Sequence, residues 1–171
     1  LSLKNAEIIC QSIADTLGEI DPENKDTYEA NVAAYIEELA GLDVQYQDTV
    51  DTASRKTVLF GDRFPFRYMV DDYGLNYYAA FAGCSAESEA SFETISFLAK
   101  KVDELQLPCI LTIEGEQHKI AETIKANTQN QDQEILTMKS MQSVTSKDVQ
   151  NGANYFSIME ENLNVLKQAL N

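Results

Sequence analysis

Four short apolar runs, each followed by a stretch with helical periodicity, constrain this chain more than any other feature. Thr57-Val58-Leu59-Phe60, Asn76-Tyr77-Tyr78-Ala79-Ala80-Phe81, Cys109-Ile110-Leu111-Thr112-Ile113 and Glu134-Ile135-Leu136-Thr137-Met138 have the length and content expected of strands. Between them lie a short helix from Pro65 to Tyr73 closed by Gly74, and a helix capped by Ser91 with Phe92, Ile95, Leu98, Ala99, Val102 and Leu105 on one face. A third helical stretch runs through Ile120 and Ile124, and a final helix begins near Asn154 and carries Phe156, Ile158, Met159, Leu163, Leu166 and Leu170. Parallel neighbours need long crossovers, so the pattern predicts an α/β fold with a four-stranded, mostly parallel sheet flanked by helices. A chain of 171 residues, 44% of them hydrophobic, suffices for one packed core.

Ahead of the sheet, Leu3, Ile8, Ile9, Ile13 and Leu17 recur at helical spacing, with Gly18 where that helix would stop. Asp21-Pro22-Glu23-Asn24 is a turn and cap signal. After it, Tyr28, Val32, Tyr35, Ile36, Leu39, Leu42, Tyr46 and Val50 mark one long helix; Gly41 is a candidate kink, and no proline breaks it. Some 27 residues would extend about 40 Å, longer than a small domain is wide, so this helix is expected to touch something beyond the sheet.

Thirteen Lys and Arg against 28 Asp and Glu leave a net charge of −15. Such a field repels a phosphate backbone, and no nucleic-acid partner is expected. Leu1-Ser2-Leu3-Lys4 lacks the basic and apolar regions of a signal peptide. Cys10, Cys84 and Cys109 are odd in number and far apart; they read as small buried hydrophobes rather than as a disulfide framework or a thiolate metal cluster.

In open parallel sheets, ligands gather beyond the carboxyl ends of the strands. Those positions here hold Gly61-Asp62-Arg63, then Ala82-Gly83-Cys84-Ser85 with Glu87, then Glu114-Gly115-Glu116, then Lys139-Ser140-Met141-Gln142-Ser143. Asp62 and Glu114 follow strands directly. Their oxygens are suited to converge on a cation, or to cap the next helix and pair with Arg63 and Arg67. No GxGxxG, GxxxxGK or GxSxG occurs, which removes the usual signals of nucleotide binding and α/β-hydrolase chemistry. A Cys84 nucleophile with His118 as its base is the one enzyme constellation available; His118 lies in a polar run and reads as a solvated surface residue. One histidine with scattered cysteines cannot close a zinc site of four nitrogen and sulfur ligands.

The order of Asn5-Ala6, Asp21-Pro22-Glu23-Asn24 with Tyr28 and Asn31, Phe60 through Tyr73-Gly74-Leu75, Ser88 to Phe92, Ile113-Glu114, and Tyr155 through Leu163 resembles the metal-binding solute receptors of bacterial zinc and manganese ABC transporters. The resemblance covers essentially the whole chain. It implies the carboxy-terminal part of a receptor whose two α/β lobes are joined by one long helix, with the metal between them. On that reading residues 1–23 end the N-terminal lobe, 24–54 form the connecting helix and 55–171 are the C-terminal lobe. Leu1-Ser2 looks like the end of the family's His-x-Trp-Leu-Ser stretch, placing one histidine ligand about three residues upstream.

For the remaining lobe the resemblance implies a His or Glu ligand shortly after the first strand. Counting from the strand puts Gly61 there, and counting back from Tyr73 puts Arg63 there; neither coordinates metal, and Asp62 between them offers oxygen. The stretch after the last strand, where relatives often carry an aspartate, has no carboxylate. Glu114 matches a glutamate common after the third strand, more plausible as a partner that orients a ligand. The expected metal residues are therefore Asp62 and Glu114. The implied cargo is a divalent transition metal, zinc ahead of manganese, held weakly or not at all by this fragment alone. The implied partners are an ABC permease and the missing N-terminal lobe around a monomer, outside the cytoplasm, secreted or lipid-anchored at the bacterial membrane surface, with no catalysis. The competing reading is a free-standing α/β enzyme or regulatory domain using Asp62, Arg63 and Glu114.

Overall fold

In the computed structural model, which describes residues 1–81, 90–115 and 118–171, all four expected strands form. They are β1 (Thr57–Phe60), β2 (Asn76–Ala79), β3 (Cys109–Ile113) and β4 (Glu134–Met138), in the order β2-β1-β3-β4 with every pairing parallel. The helices are α1 (Leu3–Ile20), α2 (Lys25–Thr52), α3 (Arg67–Tyr73), α4 (Phe92–Leu105), α5 (Lys119–Ala126), α6 (Ser146–Gln150) and α7 (Tyr155–Leu170). The fold class is the predicted one. Among the described residues no helix is long and apolar enough to cross a membrane.

Alternation along the central strands builds two cores. Val58, Phe60, Cys109, Leu111 and Ile113 point to one face with α2, α3 and α7, while Leu59 and Ile110 point to the other with α4 and α5. β3 is buried along its whole length, which explains its near-continuous apolar sequence. β2 is an edge strand and ends two residues earlier than expected. After Ala79 the Ala80 amide still reaches across, donating to the Phe60 carbonyl at 2.9 Å, and the Phe81 amide donates to the Asp62 carbonyl at 3.4 Å.

The two N-terminal helices depart furthest from a simple reading. α1 continues through Gly18 to Ile20, and Gly18 marks a close contact instead: a Cβ there would lie 3.0 Å from the Lys25 Cγ. Its isoleucines are not covered: Ile8, Ile9, Ile13 and Ile20 are 68, 57, 54 and 74% exposed, and the buried positions are Leu3, Ala14 and Gly18. α2 runs unbroken through Gly41 for 28 residues, about 42 Å. Its stripe is deeply buried from Leu39 through Tyr46 to Val50, whereas Tyr28, Tyr35 and Ile36 near its start are only half-buried. The Tyr46 hydroxyl donates to the Met159 carbonyl at 2.7 Å and its ring stacks on Tyr73, whose hydroxyl donates to Asp43 at 2.8 Å. Ser2 ties the start of α1 to α3 and α7, donating to Asp72 at 2.5 Å and accepting at its carbonyl from the Tyr155 hydroxyl at 3.0 Å.

Candidate metal centre

β1 lies between β2 and β3, so the chain leaves it in one direction and later returns on its other side. The crevice at the carboxyl ends of β1 and β3 is the switch point of this sheet. The chain enters it through Gly61, whose amide donates to the Leu111 carbonyl at 2.8 Å. A Cβ on Gly61 would stand 2.6 Å from the Ala121 Cα, so the first turn of α5 presses against this loop and only glycine fits.

Asp62 follows, with its side chain 22% exposed. Its Oδ1 accepts from the Arg63 amide at 2.7 Å and its Oδ2 from the Ile113 amide at 3.3 Å, so the carboxylate bridges the ends of β1 and β3. Each oxygen keeps a lone pair. The Arg63 guanidinium stands 3.9 Å from Oδ1.

Glu114 at the end of β3 is fully engaged. Its Oε2 accepts from the Ser140 amide at 2.6 Å, and its Oε1 from the Ser140 hydroxyl at 2.8 Å, the Gln142 amide at 3.2 Å and the Ser143 hydroxyl at 3.2 Å. Burial works to raise its pKa, but the Ser140 amide and hydroxyl with the other donors prevail and hold it below the ordinary carboxylate value. The carboxylate fixes the loop after β4. Asn162 of α7 fixes the same loop from the other side, accepting from the Lys139 amide at 2.7 Å and donating to the Lys139 carbonyl at 2.9 Å. Between the two clamps Met141 adopts a left-handed backbone with φ of 66°, a conformation an ordinary side chain takes only when its surroundings impose it.

Among the described residues no group of three or more His, Cys, Asp or Glu side chains converges. Asp62 and Glu114 flank the same strand ends but serve different neighbours. Ala82 to Ser85 with Glu87, and Glu116, lie outside the described residues, as does Cys84 of the cysteine-histidine pair. His118 occupies the N-cap position of α5 with no side-chain cap bond; the residue is half-buried and its Nδ1 is buried without a hydrogen-bond partner, so the imidazole is less solvated than expected. Sequence reasoning passed over Asn162 as a clamp; its signal was the Met159-x-x-Asn162-Leu163 motif, whose asparagine is 1% exposed.

A family profile described as zinc-uptake complex component A, periplasmic (ZnuA), matches residues 1–169. The chain is 33% identical over 170 residues to the zinc-binding lipoprotein AdcA of Streptococcus pneumoniae, covering 98% of this chain and 32% of that protein. It is 30% identical over 151 residues to the high-affinity zinc uptake system protein ZnuA of Bacillus subtilis, covering 88% of this chain and 46% of that one. The Zn(II)-bound ZnuA-like domain of Streptococcus pneumoniae AdcA superposes with a TM-score of 0.78 at 30% identity, over 99% of this chain and 61% of the domain. The chain thus spans about a third to a half of the curated relatives it matches. These are zinc-binding and zinc-uptake components rather than enzymes, which sets aside the enzyme reading of Asp62, Arg63 and Glu114. With sequence and fold in agreement from Leu1 almost to the last residue, the chain belongs to the ZnuA family of periplasmic zinc-uptake components.

Proposed function

We propose that the protein carrying this chain captures a divalent transition metal, zinc ahead of manganese, outside the cytoplasmic membrane and delivers it to the permease of an ABC transporter. What supports this reading above all is the match to zinc-uptake proteins over residues 1–169. The geometry adds a switch-point crevice with Asp62 at its edge and no complete ligand set among the described residues, as befits half of a site. In this reading residues 1–23 close an N-terminal lobe, 24–54 connect the lobes and 55–171 form the C-terminal lobe. The bare stripe of Ile8, Ile9, Ile13 and Ile20 supports that division, since uncovered isoleucines at helical spacing are the face a further domain packs on. Asp62 is this lobe's ligand, and Glu114 orients the loop after β4 rather than reaching the metal. The isolated chain would bind zinc weakly, because it holds only a fraction of the ligands together. The receptor acts as a monomer, at the membrane surface or secreted.

The test is a competitive titration of zinc and manganese into the full-length protein and its Asp62→Ala variant. Tight zinc binding that weakens at least 10-fold in the variant, about 1.4 kcal/mol, is the expected result. Undiminished affinity would remove Asp62 from the site, and no zinc binding by the parent protein would refute the reading as a whole.

A further inference from the structure

The turn between α6 and α7 carries the pair Asn151-Gly152, and no other asparagine of the chain precedes a glycine. Both residues are exposed. Asn151 ends α6 with φ of −85° and ψ of 7°, and Gly152 turns the chain with φ of 96°, in the left-handed region that favours glycine. An asparagine carboxamide is an electrophile within reach of a nucleophile, the backbone nitrogen of the next residue. Ring closure between them is easiest when that next residue has no Cβ to crowd the attack.

Other asparagines near helix ends are otherwise engaged. Asn154 accepts from the Ser157 amide at 2.9 Å, and Asn162 holds both backbone groups of Lys139. Asn127 ends α5 much as Asn151 ends α6, but it donates to the Thr123 carbonyl at 2.8 Å and is followed by the branched Thr128. The Asn151 carboxamide makes no hydrogen bond among the described residues. What restrains the Gly152 nitrogen is its bond to the Val149 carbonyl at 3.0 Å. α6 has five residues and none of them is buried, so it is too short to stand as an isolated helix and has no core packing to hold it shut. Local opening of such a segment costs little, and it frees the nitrogen.

We propose that Asn151 is a modification site, converting without an enzyme to aspartate and isoaspartate. The Gly152 nitrogen gives up its proton to hydroxide and attacks the Asn151 Cγ. The Cγ–Nδ2 bond breaks, and the amide group takes a proton from water and leaves as ammonia, so that a succinimide joins the two residues. Water then opens the ring. Cleavage between the Gly152 nitrogen and Cγ gives aspartate; cleavage between that nitrogen and the Asn151 main-chain carbonyl carbon gives isoaspartate. The net change is one water taken up and one ammonia lost, with no oxidation or reduction. Either product adds a carboxylate to the wall of a cavity of about 520 Å³ that already carries Asp148 and the Lys139–Glu161 ion pair. Isoaspartate also lengthens the backbone just ahead of the Asn154 capping box that starts α7.

The experiment ages the full-length protein at mildly alkaline pH, folded in buffer and unfolded in guanidinium, and follows the tryptic peptide from Asp148 to Lys167 by fragmentation mass spectrometry. In the folded wild type, residue 151 is expected to gain acid over days, ahead of Asn154, Asn162 and Asn164 in the same peptide, with isoaspartate exceeding aspartate. Gly152→Ala should slow the conversion at least about 10-fold, about 1.4 kcal/mol of barrier. A misfolded variant cannot mimic that result, because the same slowing is expected when wild type and variant are both unfolded in guanidinium. Folded wild type that stays unmodified while the unfolded chain converts overturns the proposal, since the turn then protects Asn151. Conversion no faster than at the other three asparagines, or equally fast in Gly152→Ala, overturns it as well.

Discussion

Replacing Glu114 by glutamine tests whether the loop after β4 is held by charge or merely by shape. The glutamine carbonyl is best placed where Oε1 stands, keeping the Ser140 hydroxyl, the Gln142 amide and the Ser143 hydroxyl as donors. Its NH2 group then faces the Ser140 amide, and a 2.6 Å charge-assisted bond becomes a clash of two donors. Loss of that bond and of charge assistance in the others, eased by water at this half-buried position, should cost about 2 kcal/mol at pH 7. For a domain of this size that corresponds to roughly 4–8 °C in Tm. The pH dependence follows from the pKa shift. Burial acts to raise the Glu114 pKa, but the donors from Ser140 and Ser143 bring it below 4.5 in the fold. The stabilisation is therefore complete above the unfolded value and is lost as pH falls through the lower folded value. Urea unfolding of the full-length protein, followed by circular dichroism at pH 7 and again near pH 3, should show the gap between wild type and Glu114→Gln shrinking in acid. A gap under about 0.5 kcal/mol at pH 7, or one that does not change with pH, would falsify the clamp.

Four further outcomes are expected. Gly61→Ala forces a Cβ to within 2.6 Å of the Ala121 Cα, and the displaced α5 should lower stability in thermal melts by at least about 2 kcal/mol; a neutral result would mean the helix yields freely. Tyr46→Phe deletes a buried hydroxyl and its bond to the Met159 carbonyl, costing about 1–2 kcal/mol in denaturant unfolding. Burial, with Glu134 nearby, pushes the Cys109 thiol up to about 12, so mass spectrometry after brief alkylation at pH 8 should find Cys109 unmodified in the folded protein and modified after unfolding. Ile13→Ser, at a position 54% exposed in this chain, should destabilise the full-length protein by more than about 1 kcal/mol if α1 packs on a further lobe, and an unchanged melting curve would count against that division.

The sheet was legible because strands buried on both faces must be written almost wholly in apolar residues, as Cys109 to Ile113 are. The caps at Ser91 and Asn154 were legible for the same local reason: each side-chain oxygen accepts from an amide three residues on. α6 escaped the reading because five residues carry no periodicity, although the Thr145 to Asp148 capping box was its signal. Helical spacing identified α1 but could not say what its isoleucines face, since amphipathicity reports that a partner is needed and not where it lies. The site divides along the same line. Position after a strand marked Asp62 and Glu114, but apart from the adjacent Arg63 amide the donors that engage them come from Ile113 and from residues 140–143, brought together only by the fold. The resemblance set either Gly61 or Arg63 opposite a ligand, depending on the end counted from, and only the fold shows the Arg63 guanidinium 3.9 Å from the Asp62 carboxylate.

The burial gradient along α2 makes that helix a cantilever. It is clamped from Leu39 to Val50 by the core and by the Tyr46 and Asp43 hydrogen bonds, while the preceding 14 residues or so, of which only Val32 is buried, extend about 20 Å further alongside α1. A tilt of about 5° at the clamp swings the tip by about 2 Å over that length, whereas metal–ligand distances tolerate only about 0.2 Å. Shifts small enough for the packing around Tyr46 and Tyr73 to absorb are thus multiplied at the far end, and if Asp62 holds the metal as proposed, a small tilt would suffice to change what faces it.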